Sequence, residues 1–175
     1  MSAVRGAPVV SIELVFDADT ERAVRTEWQA LAGAGLSSLG SHTSPSNRPH
    51  VTLLVREAVA LELDRREAFA VSLGAPLLFG AGDRRVLARS VVPSAALLAL
   101  HADVHAAAGA GDDAPHTMPG AWTPHVTLAR RLKVTDLERA LPLLGEGVTG
   151  TARGLRRWDA ASATVTDLGD FGLFA

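Results

Sequence analysis

An α+β fold of two similar lobes is predicted, with two antiparallel sheets facing a central cleft and helices on the outer faces. Three observations predict it. The pentapeptide Pro-His-Val-Thr-Leu occurs twice, at Pro49–Leu53 and Pro124–Leu128, 75 residues apart. A given five-residue word recurs by accident in so short a chain with a probability on the order of one in ten thousand. Around each copy the order of elements repeats: a loop, the motif strand, a helix, then two strands. Finally, 175 residues with 47% hydrophobic content suit one compact unit. Residues 1–175 are therefore read as a single domain of two pseudo-symmetric lobes, each carrying one His-x-Thr-Leu motif.

Val9 to Phe16 is an apolar run that reads as the first strand. Asp17 and Asp19 are candidate N-caps for a helix in which Val24, Trp28 and Leu31 recur at i, i+4 and i+7 and share one face. Gly33 and Gly35 end it. Gly40 to Arg48, containing Ser, Asn and Pro, is a loop that delivers the chain into the strand His50 to Val55. Leu61 to Leu73 is predicted helical. Pro76 to Gly80 and Arg85 to Val92 pair as strands about the turn Gly82-Asp83, and Ser94 caps a helix reaching Ala108. A second loop, Gly109 to Gly120, leads into the strand His125 to Arg130. Thr135-Asp136-Leu137-Glu138 has the capping-box pattern that opens a helix to Leu144. Val148 to Trp158 and Ala163 to Leu168 complete the chain as strands.

The formal net charge of -2 offers no global field for gathering polyanions. It disfavours a broad non-specific nucleic-acid binder and leaves recognition of a single phosphate open. Every basic residue except Lys133 is arginine, a bias that fits a GC-rich coding sequence better than a phosphate-binding purpose. The chain has no cysteine, so thiolate nucleophiles, disulfides and thiolate metal ligands are excluded. There is no apolar run of about 18 residues, and Met1-Ser2-Ala3-Val4-Arg5-Gly6 lacks the apolar segment of a signal peptide. A cytoplasmic protein with no membrane partner, acting as a monomer, is the expectation.

Side chains alternate along a strand, so His50 and Thr52 project from one face while Val51 and Leu53 point to the other. His125 and Thr127 are placed in the same way. If the halves are related by an approximate two-fold axis, two imidazoles and two hydroxyls converge. That constellation suits in-line displacement at phosphorus, which needs a base on the entering oxygen and an acid on the leaving one. Two histidines near their ordinary pKa of about 6.5 can share those roles. The hydroxyls can donate to the non-bridging oxygens. No metal is required. A single such histidine would read as an ordinary strand residue; two at equivalent positions read as a pair with a purpose.

The two His-x-Thr-Leu motifs, their separation and the duplicated layout resemble the two-histidine (2H) phosphoesterase superfamily, in its 2'-5' RNA ligase-like branch. The resemblance spans the chain in organisation and is specific only at the motifs. It implies a bilobal α+β fold without cofactor or metal, and hydrolysis of 2',3'-cyclic phosphates to 2'-phosphates. The implied substrate is an RNA terminus or a small cyclic nucleotide, with reversible 2'-5' RNA ligation in some members. It also implies His50 as the acid that protonates the departing 3'-oxygen and His125 as the base that activates water. The symmetry of the motifs does not assign those roles.

Arg130 follows the second motif and is the candidate phosphate ligand beside Thr52 and Thr127. Strict alternation instead puts Arg131 on the His125 face and Arg56 at the matching place after His50, unless a bulge resets parity. Trp122 is expected to pack in the core rather than stack on a base. His42, Arg48 and His116 are set down as surface residues, with cleft lining as the alternative. His101 and His105 have the i, i+4 spacing of a zinc pair but lack the Glu of the metalloprotease motif, so a solvent-facing pair is expected. No glycine-rich loop ends in Lys-Ser or Lys-Thr, so an ATP-driven ligase is unsupported. A non-catalytic nucleotide- or RNA-end-binding module is the alternative from another class.

Overall fold

Seven strands and two long helices carry the chain between residues 9 and 172, the part that the computed structural model describes. Met1 to Gly6, read above as lacking a leader, lies outside it. Strand β1 (Val10–Phe16) is buried along its whole length. Helix α1 (Ala18–Gly33) follows, capped by Asp17, whose carboxylate accepts from the Thr20 amide at 2.7 Å. Its buried face carries Val24, Trp28 and Leu31, as the spacing predicts. The first motif opens β2 (His50–Arg56); β3 (Phe69–Phe79) and β4 (Arg84–Val91) form an antiparallel pair. Helix α2 (Ala95–Ala108) is capped by Ser94. The second motif opens β5 (His125–Lys133), then come a short helix α3 (Leu137–Ala140), β6 (Val148–Asp159) and β7 (Thr164–Asp170).

Two helical expectations fail for physical reasons. Residues 57–66 are largely irregular and β3 starts at Phe69, where a helix from Leu61 to Leu73 was predicted. The residue types there favour helix, but burial follows a period of two: Leu61 and Leu63 pack on the core while Glu62 and Asp64 face water, and Phe69, Val71 and Leu73 are buried while Ala70 is exposed and Ser72 half-buried. Packing overrides local propensity. The capping box at Thr135 makes no side-chain cap bond, and α3 stops after four residues. Pro142 follows closely, and a proline inside the next turn removes a helical donor.

All pairings between the strands are antiparallel, and they join into one sheet in the order β1-β2-β5-β4-β3-β6-β7, where two sheets were expected. Strand β1 also pairs with β6, so six strands close a circuit of neighbours. The link between β2 and β5 is a single pair, Val51 opposite Val126. Strand β7 hangs outside the circuit on β6, with its other edge unpaired among the described residues; Gly169 there has φ 116°. The side chains of Val51, Leu53, Val126 and Leu128 join α1 and α2 residues in one core cluster, each with no exposed surface. Burying each is worth about 1.5–3 kcal/mol.

The ladders around the two motif strands match position by position. Glu13 stands opposite Thr52 and Ile12 opposite Leu54, leaving Leu53 bulged between them. Ala88 stands opposite Thr127 and Leu87 opposite Ala129, leaving Leu128 bulged in the same way. One extra residue reverses the facing of everything beyond it. Arg56 therefore turns into the interior, where only 7% of it is exposed, while Arg130 rejoins the face of His125.

Candidate active site

Each motif histidine is held by the chain just before it. The Nδ1–H of His50 donates to the Arg48 carbonyl at 2.7 Å, and that of His125 donates to the Thr123 carbonyl, also at 2.7 Å. Both anchors lie two residues upstream. An imidazole whose Nδ1 is spent on a carbonyl carries its other functional atom, Nε2, outward in a fixed orientation. Duplicate sequence has thus produced duplicate tautomers.

Beneath the histidines, two indoles brace the strands. Trp28 of α1 donates to the Thr127 carbonyl at 3.1 Å, and Trp122 donates to the Thr52 carbonyl at 2.9 Å. Both carbonyls lie at the β2–β5 junction, where the ladder is one pair long and strand partners run out. Trp122 has the packing role expected of it: its ring stacks on His101 with centroids 3.9 Å apart.

The surroundings of the two imidazoles differ. Glu13 Oε1 lies 3.6 Å from His50 Nε2, an ion pair whenever that ring is protonated. Glu13 is buried and also accepts from Ser11 Oγ and Arg156 Nε, both at 2.7 Å. Arg156 Nη2 lies 3.3 Å from His50 Nδ1; since that nitrogen already donates to a carbonyl, the guanidinium is a neighbouring charge rather than a partner. His125 instead meets Phe79, ring centroids 4.5 Å apart. Burial lowers its proton affinity below the ordinary histidine value, the Thr123 carbonyl works the other way, and His116 and His50 add to the lowering.

Two recesses open here. One, of about 300 Å³, is lined by Glu13, His42, Arg48, His50, Arg156 and Trp158 among others. The second, of about 530 Å³, is lined by Phe79, Val86, His116, His125 and Thr127 among others. Arg130 lines both, and no hydrogen bond or ion pair holds its guanidinium among the described residues. His42, Arg48 and His116 thus border the recesses, where a plain surface role was expected. Thr52 is half-buried and lines neither recess; Arg131 is exposed and lines neither. Glu13, Arg156, Trp158 and Phe79 were missed: they come from strands remote in sequence, and only pairing brings them here.

His101 and His105 do not face solvent. His101 is 4% exposed and its Nε2 donates to the Thr117 carbonyl at 2.9 Å. Burial lowers its proton affinity. Both nitrogens of His105 are engaged, Nδ1 with Asp113 at 3.1 Å and Nε2 with the Leu53 carbonyl at 3.1 Å. Arg56 also binds Asp113. His101 ties α2 to the loop at Thr117 and His105 ties it to β2, and His105 has no nitrogen left for a metal.

Together these features define a class: an α+β protein built around two opposed, identically anchored imidazoles. The sequence matches the model of the 2'-5' RNA ligase superfamily over residues 20–169. The chain belongs to that superfamily, the two-histidine phosphoesterases. No curated protein sequence matches it significantly. Its fold is similar to Usb1 of Kluyveromyces marxianus, with a TM-score of 0.52 and 11% identity over 95% of this chain and 99% of that one. A structure of the same yeast protein with uridine monophosphate gives a TM-score of 0.46 and 10% identity, over 93% and 98% of the two chains.

Proposed function

We propose that the protein hydrolyses 2',3'-cyclic phosphodiesters at RNA ends or in small nucleotides, giving 2'-phosphates by acid–base catalysis without a metal. The observation that carries this reading is the matched anchoring of His50 and His125, each with Nδ1 on a carbonyl, which leaves Nε2 as the atom that exchanges a proton. His125 takes a proton from water as the water oxygen bonds to phosphorus. His50 gives its proton to the 3'-oxygen as the P–O3' bond breaks, and both rings are reset by exchange with solvent. The lowered proton affinity of His125 supports the base role, since a base must be neutral at working pH. Arg130, placed at the junction of the recesses, and the hydroxyls of Thr52 and Thr127 are assigned to the non-bridging oxygens.

The test is an assay of 2',3'-cyclic nucleotides and cyclic-ended RNA with chelator present. Turnover to 2'-phosphates is expected, falling on the order of 10²- to 10⁴-fold in His50→Ala and in His125→Ala. Full activity in either variant overturns the mechanism. Binding of a 2'-nucleotide with no turnover of any cyclic phosphate makes the protein a binding module instead. Superfamily membership also supports 2'-5' ligation at the same site, with a 5'-hydroxyl in place of water. An RNA 5'-hydroxyl end supplied with the cyclic phosphate separates the two outcomes by product length.

A further inference from the structure

Counting outward from each histidine strand, the pairing registers assign the positions beside the motifs an equivalent. Across β2, β1 and β6, Thr52 faces Glu13, which faces Arg156; Ser11 faces Trp158. Across β5, β4 and β3, Thr127 faces Ala88, which faces Leu77; Val86 faces Phe79. The bulge at each motif falls at the same place in both, and a second irregularity between Arg85 and Leu87 belongs to β4–β5 alone. Counted along β1 and β4 and across to β6 and β3, Glu13 matches Ala88, Arg156 matches Leu77, Ser11 matches Val86, and Trp158 matches Phe79. Facing residues in antiparallel strands project on the same side.

The two floors are therefore built on one plan and filled with opposite chemistry. Beside His50 the floor is Glu13 and Arg156, with Ser11 hydrogen-bonded to Glu13, and with Arg48 at the rim. Beside His125 the recess is lined by Val86, while Ala88 and Leu77 hold the matching register positions without lining it. What the floors share is one aromatic ring each, at the same register position, half-buried and lining the recess of its own histidine. Arg130 stands where the recesses meet. An apolar floor with a ring suits the face of a nucleobase. A polar floor with guanidiniums and a ring suits a base together with a charged linkage.

Resting on the function proposed above, we propose that Phe79 and Trp158 are paired base platforms that make an oligonucleotide end, not a mononucleotide, the preferred substrate. The terminal base lies on Phe79 and Val86 beside His125. The next nucleotide lies on Trp158, with its linking phosphate toward Arg48. Each platform acts on binding and orientation; neither moves a proton.

The experiment compares adenosine 2',3'-cyclic phosphate with the adenylyl dinucleotide that ends in the same cyclic phosphate. In the unaltered protein kcat/KM for the dinucleotide is expected to exceed that for the mononucleotide by on the order of tenfold or more. The ratio falls toward one in Trp158→Ala and is retained in Trp158→Phe, with the change carried by KM. Equal kcat/KM in the unaltered protein, or a ratio undiminished in Trp158→Ala, overturns the platforms and leaves hydrolysis intact. If neither compound is turned over, the function fails and calorimetry with the two corresponding 2'-phosphates decides the platforms. Dinucleotide binding about tenfold tighter, lost in Trp158→Ala, supports them; equal affinities overturn them.

Discussion

Val51 and Val126, the central residues of the two pentapeptides, face each other in the one residue pair that joins β2 to β5. An antiparallel pair has a local two-fold axis through its midpoint. With the same residue on both sides, that axis relates the motifs themselves: His50 lies toward Thr127, and His125 toward Thr52. Two imidazoles so related lie on either side of the Val51–Val126 pair, the arrangement on which the in-line displacement proposed above relies. The valines also enter the core, so the axis is fixed by the same burial that stabilises the strands.

The acid limb of the pH–rate profile should have its midpoint below 6.5. Burial holds the His125 proton affinity under the ordinary value of 6.5, so its neutral form persists to lower pH. His116, one of the positive neighbours that lower it, is exposed. In His116→Gln the midpoint should move up toward 6.5, as read from kcat/KM between pH 4.5 and 8. A limb unmoved by the substitution would remove His116 from the electrostatics of the site.

Folding stability should decline in mild acid through His101. Its folded-state proton affinity is depressed by burial, so the unfolded chain binds the proton more readily. The stability is therefore present above the unfolded value near 6.5 and lost as pH falls through the lower folded-state value. Urea unfolding at pH 7.5 and 5.5 measures this. His101→Phe, which keeps a ring against Trp122, should shrink the difference between the two pH values.

Arg89 should be among the costliest single residues to remove. It is 3% exposed, binds Glu27 of α1 through two nitrogens, and donates to the Gly74 carbonyl at 2.9 Å. Glu27 in turn accepts from the Gly145 amide at 3.0 Å. Breaking a buried pair strands the remaining charge, at about 3–5 kcal/mol. Urea unfolding of Arg89→Ala measures the loss, and a loss under about 1 kcal/mol would contradict it.

The two indole braces should behave alike. Trp28→Phe and Trp122→Phe each keep an aromatic ring and remove the N–H that holds a motif carbonyl. Leaving such an acceptor unpaired costs about 1–3 kcal/mol. The double variant should depart from the sum of the two by about 0.5 kcal/mol or more in chemical denaturation, because both carbonyls flank the single Val51–Val126 pair.

The α+β class and the facing of His50, Thr52, His125 and Thr127 were legible because strand alternation is a local property. Arg130 was legible only in part. Alternation by itself selects Arg131, and the bulge at Leu128 that turns Arg130 to the His125 face is set by the register with β4, which no local pattern announces. The strand at Val71 and Leu73 was hidden under helix-favouring neighbours, since its evidence of burial lies in β4 and β6. Glu13, Arg156, Phe79 and Trp158 were illegible for the same reason: each sits far along the chain from the histidine it borders. His101 and His105 could be paired by spacing, but their burial depends on the loop that folds over them.

Among the described residues, strand β7 leaves one row of backbone donors and acceptors uncovered, and that row has a bearing on behaviour in concentrated solution. An open strand edge invites a second chain to add itself to the sheet. Here the edge is kinked at Gly169, and carries Asp167 and Asp170, with Asp167 folding back to accept from the Gly169 amide at 2.8 Å. Like charges on two approaching copies repel, and the kink spoils the straight template that a growing β-stack needs. The same exposed strand that offers an edge thus also carries the charges and the bend that oppose edge-to-edge stacking.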